Sequence, residues 1–167
     1  MEWSAWEPLY NEIIRDLRYD PEADLRAAER LSELTRGRLV PGFDTIVEII
    51  RGRASIAGPA PSLETDIDGV LDRGALVAAG SATGRLMEIG VVPDIIVTDL
   101  DGDVGMELEA IEKGALAFIH AHGDNIGRIE DVVPRIVPPF VPTVQCRPFK
   151  NVYNFGGFTD GDRAFFM

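Results

Sequence analysis

The sequence is poor in cysteine and lysine, and it has no long apolar segment. Its single cysteine, Cys146, excludes an internal disulfide and favours a reducing, cytoplasmic environment. Only Lys113 and Lys150 are lysines among 16 basic residues, and 28 acidic residues give a net charge of -12. That charge argues against binding nucleic acid through a basic surface. No segment has the length and apolar character to cross a bilayer, and none near the N-terminus resembles a signal peptide, so no membrane association is expected.

Residues 1–42 are predicted to form a helical N-terminal arm. Apolar residues recur at helical spacing from Trp6 through Tyr10 to Leu17. Asp20 followed by Pro21 is typical of a helix start, with aspartate as the N-cap and proline in the first turn. The segment LVPGFD (39–44) interrupts the helical pattern. We therefore divide the chain into an arm, 1–42, and a main domain, 43–167.

From residue 53 onward, short apolar segments alternate with helical patterns among the chain's 167 residues. Strands that are apolar throughout are buried on both faces, which predicts an α/β fold with a Rossmann-like parallel sheet and helices on both faces. In such sheets ligands bind at the carboxyl ends of the strands. The predicted strands are ASIAG (54–58), ALVAAG (75–80), DIIVTD (94–99) and ALAFIHAHG (115–123). The predicted helices are SLETDIDGVLD (62–72), ATGRLMEIG (82–90), MELEAIEKG (106–114) and NIGRIEDVV (125–133).

Three aspartates, Asp99, Asp101 and Asp103, follow the strand DIIVTD. A calcium loop counted from Asp99 fails, because the sixth and twelfth positions hold Val104 and Ala110 instead of Gly and Glu. The sequence DLDGD is similar to the Asp-x-Asp-Gly-Thr motif of haloacid-dehalogenase-type phosphatases, in which the first aspartate is the nucleophile. Magnesium bound with a nucleotide fits best, since Mg²⁺ takes carboxylate and phosphate oxygens together.

Two further motifs bear polar groups at predicted strand ends or loops. HAHGDN (120–125) could bind zinc or iron through His120 and His122, contact phosphate, or simply be a polar strand exit. NFGGFTDGDRA (154–164) could cradle phosphate or form a tight turn, and its Arg163 could clamp phosphate or pair with a neighbouring aspartate. The sequence contains no P-loop, so phosphate contacts must come from glycine-rich turns such as this one and AGPAPS (57–62).

In combination, GVVPDIIVTDLDGD (90–103), HAHGDN and NFGGFTDGDRA resemble the archaeal 6-hydroxymethyl-7,8-dihydropterin pyrophosphokinases. That family is similar to the thiamin pyrophosphokinase catalytic fold. The resemblance implies Mg²⁺-dependent transfer of diphosphate from ATP to a reduced pterin, with release of AMP, in folate or methanopterin biosynthesis. ATP is then a co-substrate, and the partners are small molecules. A homo-oligomer is compatible with the sequence.

The resemblance also implies roles for individual residues. Asp99 and Asp101 are expected to hold magnesium, with Asp124 completing the metal site and either Asp124 or His122 serving as a base. These four are the expected catalytic residues. Those expected near the nucleotide or the pterin are Gly58, Ser62, Thr83, Asn125, Gly156, Gly157, Asp160 and Arg163.

Two features depart from the family pattern. Family members usually read Ala-Ala-Asp-Gly-Ala-Thr where this chain reads AAGSAT (78–83), so Gly80 replaces an aspartate, and the family's first turn, Gly-x-Gly-Pro-Ser-Leu, reads AGPAPSL (57–63) here. Both changes leave a catalytically degenerate nucleotide-binding module as an alternative function. We expect activity that needs more magnesium, with Asp103 supplying the missing charge and Gly80→Asp lowering the requirement if Gly80 has no positive φ. Family chains also continue past the position of Met167 into further sheet, so this chain is expected to be shorter.

Overall fold

A computed structural model describes residues 1–70 and 74–167. Five strands form one parallel sheet whose strand order follows the chain, which confirms the predicted α/β fold. Because the order never reverses, the sheet lacks the switch point of a doubly wound Rossmann sheet. All five carboxyl ends still lie at one edge of the sheet. The strands are β1 Ala54–Ala57, β2 Ala75–Ala79, β3 Ile95–Thr98, β4 Leu116–Ala121 and β5 Phe140–Val144.

Eight α-helices surround the sheet in the described part of the chain. The predicted helical pattern over 62–72 forms α4 and a 3-10 turn, Ile67–Gly69, and its last two residues lie outside the described residues. The other helical patterns agree with the structure to within a few residues. The helices are α1 Trp3–Leu17, α2 Pro21–Leu34, α3 Phe43–Ile49, α4 Leu63–Asp66, α5 Ala82–Glu88, α6 Val104–Glu112, α7 Ile126–Val132 and α8 Asp160–Phe166.

The two faces of the sheet carry separate apolar cores. Successive strand side chains alternate between faces, so Leu76 and Ala78 of β2 join a large core with α1, α2 and α4–α7. Val77 points to the opposite face, where Ile46 of α3 and Ala164 of α8 cover it. The second face therefore has a thinner helical layer, and α8 brings the end of the chain back over the central strands.

The N-terminal arm packs onto the sheet. Asp20 caps α2 by accepting a hydrogen bond from the amide of Glu22 at 3.0 Å, as its position before Pro21 predicts. Trp6 and Tyr10 are buried in the large core, whereas Leu17, expected on the same face, is 57% exposed because α1 ends there. Helix α2 contacts β4, β5 and α7. The arm thus shares its core with the main domain, and the boundary at residue 42 stays a prediction.

No helix in residues 1–70 or 74–167 is both long and apolar enough to span a bilayer.

Candidate functional site

The turn after β3 directs two carboxylates away from the core. Leu100, between Asp99 and Asp101, has a φ of 67° and is 1% exposed, so its side chain enters the core. Left-handed backbone costs a non-glycine residue about 1–2 kcal/mol, and such strain is often retained at functional sites. Thr98 Oγ1 supports the turn by accepting a hydrogen bond from the Leu100 amide at 2.8 Å. Asp99 and Asp101 consequently line a cavity of about 620 Å³.

A third carboxylate reaches these two from the end of the chain. Asp99, Asp101 and Asp160 each offer an oxygen atom, and these atoms lie within 4.8 Å of one another. We call these three residues the carboxylate cluster. Asp160 is the first residue of α8, which begins with a capping box formed by Thr159 and Asp162. The glycine-rich loop in the sequence is therefore, in part, the start of a helix.

The electrostatics of the cluster reflect crowded like charges. Burial and the charge of Asp99 raise the pKa of Asp101. Burial also raises the pKa of Asp160 to about 7, since the repulsion of Asp99 and Asp101 adds to it while Arg163 opposes it. For Asp99, burial acts in the same direction, but the hydrogen bond from His122, the adjacent Asp101 carboxyl group and the charge of Arg163 outweigh it and lower the pKa to about 2. One further cation would relieve this repulsion.

Two basic side chains already contact the cluster. Arg163 donates to Asp160 Oδ1 at 2.8 Å and lies 3.9 Å from Asp99 Oδ2. It therefore pairs with a neighbouring aspartate, one of its two predicted roles, and it also lines the cavity, where phosphate would bind. His122 Nε2 lies 3.2 Å from Asp99 Oδ2. The amide of Asp124 donates to His122 Nδ1 at 3.4 Å, which places the ring proton on Nε2. This arrangement favours His122 as a donor to Asp99 over a role as a base.

The HAHGDN segment is shaped by Asn125 beneath the cavity. Its Nδ2 donates to the carbonyls of Asp99 and His120, and its Oδ1 accepts the amide of His122. Asn125 is buried and positions the loop from below. His120 is also buried, beside Thr143, and burial lowers its pKa so that the ring is neutral. Among the described residues, neither histidine belongs to the carboxylate cluster.

The predicted site residues fall into two groups, those that line the cavity and those outside its lining. Asp124 is exposed and lines the cavity, but among the described residues Asp160 takes the place in the cluster that the sequence assigns to Asp124. Gly157 lies where a Cβ would be 2.5 Å from the Arg163 amide, so it permits the close approach of α8. The predicted residues that line the cavity are Gly58, Asp99, Asp101, His122, Asp124, Asp160 and Arg163; those outside its lining are Ser62, Thr83, Asn125, Gly156 and Gly157.

The N-terminal arm contributes residues that sequence reasoning missed. Asp24 of α2 is 3% exposed and accepts hydrogen bonds from Tyr10 Oη, Gln145 Nε2 and the Gly123 amide, at 2.8, 2.8 and 2.9 Å. A buried carboxylate needs such donors, and these three come from the arm, from the segment after β5 and from the loop after β4. The network ties the arm to the HAHGDN loop. Tyr19, Asp20, Ala23 and Asp24 of the arm line the cavity.

A buried glutamate below the cluster was also missed, because nothing in the pattern of α6 distinguishes it. Glu107 is 1% exposed, and its Oε1 accepts a hydrogen bond from Thr98 Oγ1 at 2.7 Å. Burial raises the pKa of Glu107 to about 7, the Thr98 hydrogen bond opposes this shift, and the charges of the cluster add to it. The folded protein therefore holds a proton at Glu107 that the unfolded chain loses near pH 4.5.

We expect Glu107→Gln to stabilise the metal-free protein at high pH. The folded pKa is raised, so the stability that wild-type Glu107 contributes is present below its unfolded pKa and is lost as pH rises through about 7. Glutamine keeps an acceptor for Thr98 without the buried charge, and the gain at about pH 8 should be about 3 kcal/mol. Urea unfolding in EDTA at about pH 5 and pH 8 measures it. Glu112→Gln, an exposed change on the same helix, is the control; an equal gain at both pH values would contradict the expectation.

Comparison with known proteins identifies the family. The family model described as "6-hydroxymethylpterin diphosphokinase MptE-like" matches residues 28–167. The chain belongs to this family. The 6-hydroxymethyl-7,8-dihydropterin pyrophosphokinase of Pyrococcus furiosus is 40% identical over 173 residues, covering 100% of this chain and 72% of the relative. Proteins of the same name from Methanocaldococcus jannaschii and Methanothermobacter thermautotrophicus are 34% and 36% identical, covering the whole chain and 74% and 72% of the relatives.

Membership of the MptE-like family confirms the resemblance drawn from the three sequence motifs, and it confirms that the chain is a diphosphotransferase. It thereby favours a pyrophosphokinase over the Asp-nucleophile phosphatase. The matched residues 28–167 include the second half of α2 and the whole sheet, and the alignments to the three relatives also cover the arm.

Proposed function

We propose that this protein transfers diphosphate from ATP to the hydroxymethyl group of 6-hydroxymethyl-7,8-dihydropterin, releases AMP, and requires Mg²⁺. The convergence of Asp99, Asp101 and Asp160 in one cavity carries the proposal. Three relatives named for this pterin activity give the substrate class. Diphosphoryl transfer between two bound molecules needs positioning and charge neutralisation more than covalent catalysis by the protein, which suits a carboxylate-lined cavity.

The donor set of the cluster fits magnesium. Its three groups are carboxylates, the hard oxygen ligands that Mg²⁺ prefers alongside substrate phosphates. Asp99 Oδ1 is buried and receives no hydrogen bond from the described residues, so one lone pair is left for a cation. A magnesium ion bound there would supply Lewis-acid neutralisation of phosphate charge. In this proposal Asp160 serves as the third ligand, and Asp124 is free for another role.

The basic side chains hold the cluster in shape and meet the phosphates. Arg163 donates from Nη1 to Asp160 and from Nη2 to Phe158 and Gln145, and it lines the cavity, so the second N–H of Nη1 can contact a phosphate oxygen. His122 fixes the orientation of Asp99. The turn of Gly58 and Pro59 lines the cavity beyond β1, where the Gly58 amide can donate to the nucleotide. Nucleotide roles for Ser62, Thr83, Asn125, Gly156 and Gly157 stay predictions, as the structure sets them outside the cavity lining.

The proton of the pterin hydroxyl must leave as its oxygen bonds to the β-phosphorus and AMP departs. Little base strength is needed in a loose phosphoryl-transfer transition state. Solvent water can therefore take the proton, and no described side chain is required as a base. The step in folate or methanopterin biosynthesis, the cytoplasmic location and a homo-oligomeric state belong to the same proposal.

Initial rates with ATP and a panel of acceptors test the proposed reaction. The purified chain is assayed with 6-hydroxymethyl-7,8-dihydropterin, other pterins and thiamin, with Mg²⁺ or EDTA, and AMP is quantified. We expect AMP with the hydroxymethylpterin only when Mg²⁺ is present. AMP formation with thiamin alone, or equal rates in EDTA, would contradict the proposal.

Gly80 gives a separate test of Asp160 as a ligand. Its φ is 55°, a positive value, so Gly80→Asp is not expected to lower the magnesium requirement. Asp103 does not supply the missing charge either, because it caps α6 by accepting a hydrogen bond from the Met106 amide and lies outside the carboxylate cluster. A Cβ at Gly80 would lie 2.9 Å from Asp160 Oδ2. We therefore expect Gly80→Ala to push Asp160 aside and raise the Mg²⁺ concentration for half-maximal rate by about tenfold.

Gly90→Ala is the matched control for Gly80→Ala. Gly90 has a φ of 79°, so alanine there brings a similar backbone cost, but nothing lies within 4 Å of its Cβ position. Both variants should lose about 1 kcal/mol of stability, and only Gly80→Ala should change the magnesium dependence. Equal magnesium dependence in the two variants would exclude Asp160 from the metal site.

A further inference from the structure

The cavity has two chemically different ends on either side of the carboxylate cluster. Gly58, Pro59 and Ser81 line one end, beyond β1 and β2. The other end lies between the N-terminal arm and the start of α8, where Tyr19, Asp20, Asp124 and Phe158 are among the lining residues. We call this second part of the cavity the arm end. A two-substrate reaction needs one site for each substrate, and the two ends provide separate places.

The arm end carries an aromatic pair. The rings of Tyr19 and Phe158 have centroids 5.8 Å apart and are tilted by 35°. Tyr19 is 45% exposed although its ring contacts Phe158, and both residues line the cavity. Flat heteroaromatic rings stack on such side chains.

Charge at the arm end disfavours phosphate and favours a ligand with hydrogen-bond donors. Asp20 and Asp124 both line it, and Arg26, which pairs with Asp20 at 3.2 Å, is not among the lining residues. The one arginine or lysine among the described lining residues is Arg163, and it is paired with Asp160 in the carboxylate cluster. Asp124 receives no side-chain hydrogen bond from the described residues, so its oxygens are free to accept one.

We propose that the arm end is the pterin site: Tyr19 and Phe158 stack against the pterin ring, and the Asp124 carboxylate accepts hydrogen bonds from its 2-amino and N3–H edge. This inference rests on the proposed function, because it takes the pterin as one of the two substrates. A pterin edge with two adjacent donors matches a carboxylate with two acceptor oxygens. The hydroxymethyl group at the opposite side of the ring then faces the carboxylate cluster, where the triphosphate is held.

The arm makes this site a fixed part of the fold. Ala23 packs directly against Gly123, since a Cβ built on Gly123 would lie 2.6 Å from Ala23 Cβ. The next residue of α2, Asp24, accepts a hydrogen bond from the Gly123 amide at 2.9 Å. Asp124 follows Gly123 in the chain, so α2 sets the position of the carboxylate that reads the pterin edge. In this proposal the N-terminal arm thereby helps to select the pterin that accepts the diphosphate. The sequence pattern of residues 1–42 does not reveal this role.

Calorimetric titrations of the wild type and three variants test the assignment. Wild type, Tyr19→Ala, Tyr19→Phe and Asp124→Asn are titrated with 6-hydroxymethylpterin, and separately with α,β-methylene-ATP and Mg²⁺. Tyr19→Ala should weaken pterin binding by about tenfold, the cost of losing one stacking partner. Tyr19→Phe should restore it, and Asp124→Asn should weaken it by a similar factor, since the amide replaces an acceptor with a donor. Leu17→Ala, exposed on the same arm, is the control outside the cavity.

The outcomes separate this inference from the proposed function. Unchanged pterin binding in Tyr19→Ala and Asp124→Asn would overturn the pterin site, even when the wild type forms AMP. Weakened binding of the ATP analogue with unchanged pterin binding would overturn it as well, because the aromatic pair would then hold adenine. Pterin binding that depends on Tyr19 in a protein that forms no AMP would support the site and contradict the proposed reaction.

Discussion

Replacing Asp101 by Asn should lower kcat/KM on the order of 100-fold while leaving the fold intact, because a magnesium ligand contributes several kcal/mol to charge neutralisation in the transition state. Asp101 is exposed, so its loss leaves no cavity in the core. The charge of Asp99 raises the pKa of Asp101, so removing the charge should slightly stabilise the metal-free protein. Rates at several Mg²⁺ concentrations and thermal unfolding in EDTA measure the two effects.

Asp103→Asn is the matched control for Asp101→Asn. Asp103 lies two residues further along, is exposed, and caps α6 by accepting the Met106 amide at 3.1 Å. Asparagine caps a helix about as well as aspartate, so stability should be retained. We expect near wild-type rates for Asp103→Asn. Equal losses in the two variants would mean that general acidity of the loop, and not a defined metal site, determines activity.

Gly123→Ala should strongly destabilise the fold, because the added methyl group collides with the N-terminal arm. Its Cβ would lie 2.6 Å from Ala23 Cβ and 3.3 Å from the Ala23 carbonyl carbon, so either α2 or the HAHGDN loop must move. Overpacking of this kind costs about 1–3 kcal/mol. The same shift would weaken the hydrogen bond from the Gly123 amide to Asp24 and displace His122 and Asp124, so activity should fall as well. Urea unfolding and steady-state kinetics measure both.

The control for Gly123→Ala is Gly127→Ala, four residues away within α7. No atom lies within 4 Å of the Gly127 Cβ position, and alanine in a helix is favoured over glycine by about 1 kcal/mol. Gly127→Ala should therefore be stabilising and fully active. If Gly123→Ala were equally well tolerated, the close packing of the arm on the loop would be wrong, and with it the view that the arm forms part of the site.

Local patterns in the sequence were sufficient to predict most of the sheet and one part of the site. The apolar segments ending in Gly, Asp or His correspond to β1–β4, and Asp99 and Asp101 lie at the carboxyl end of β3 as predicted. These predictions depend on neighbouring residues alone. Strand β5 escaped prediction because Pro142 lies within it. Proline is tolerated there since β5 is the last strand in the order of the described sheet, and the single bridge at its other edge, from Thr143 to Tyr153, uses the carbonyl of Pro142 and needs no N–H from it.

The remaining features of the site depend on contacts between distant parts of the chain. Asp160 joins Asp99 and Asp101 because α8 returns over the central strands, and no spacing in the sequence encodes that return. Asp24 accepts a hydrogen bond from the amide of Gly123, which lies 99 residues away in the sequence. A capping box at Thr159 and Asp162 was readable in the sequence and would have revealed the start of α8. Glu107 gave no signal, because a glutamate in an amphipathic helix is ordinarily exposed.

The position of isotopic label in the product tests the central claim most directly. ATP labelled at the β-phosphorus and ATP labelled at the γ-phosphorus are each incubated with the protein, Mg²⁺ and 6-hydroxymethyl-7,8-dihydropterin, and the pterin product is isolated. We predict that both labels move to the pterin, with one equivalent of AMP formed for each pterin diphosphate. Transfer of the γ-label alone with formation of ADP, or recovery of the label as inorganic phosphate, would contradict diphosphoryl transfer at this site.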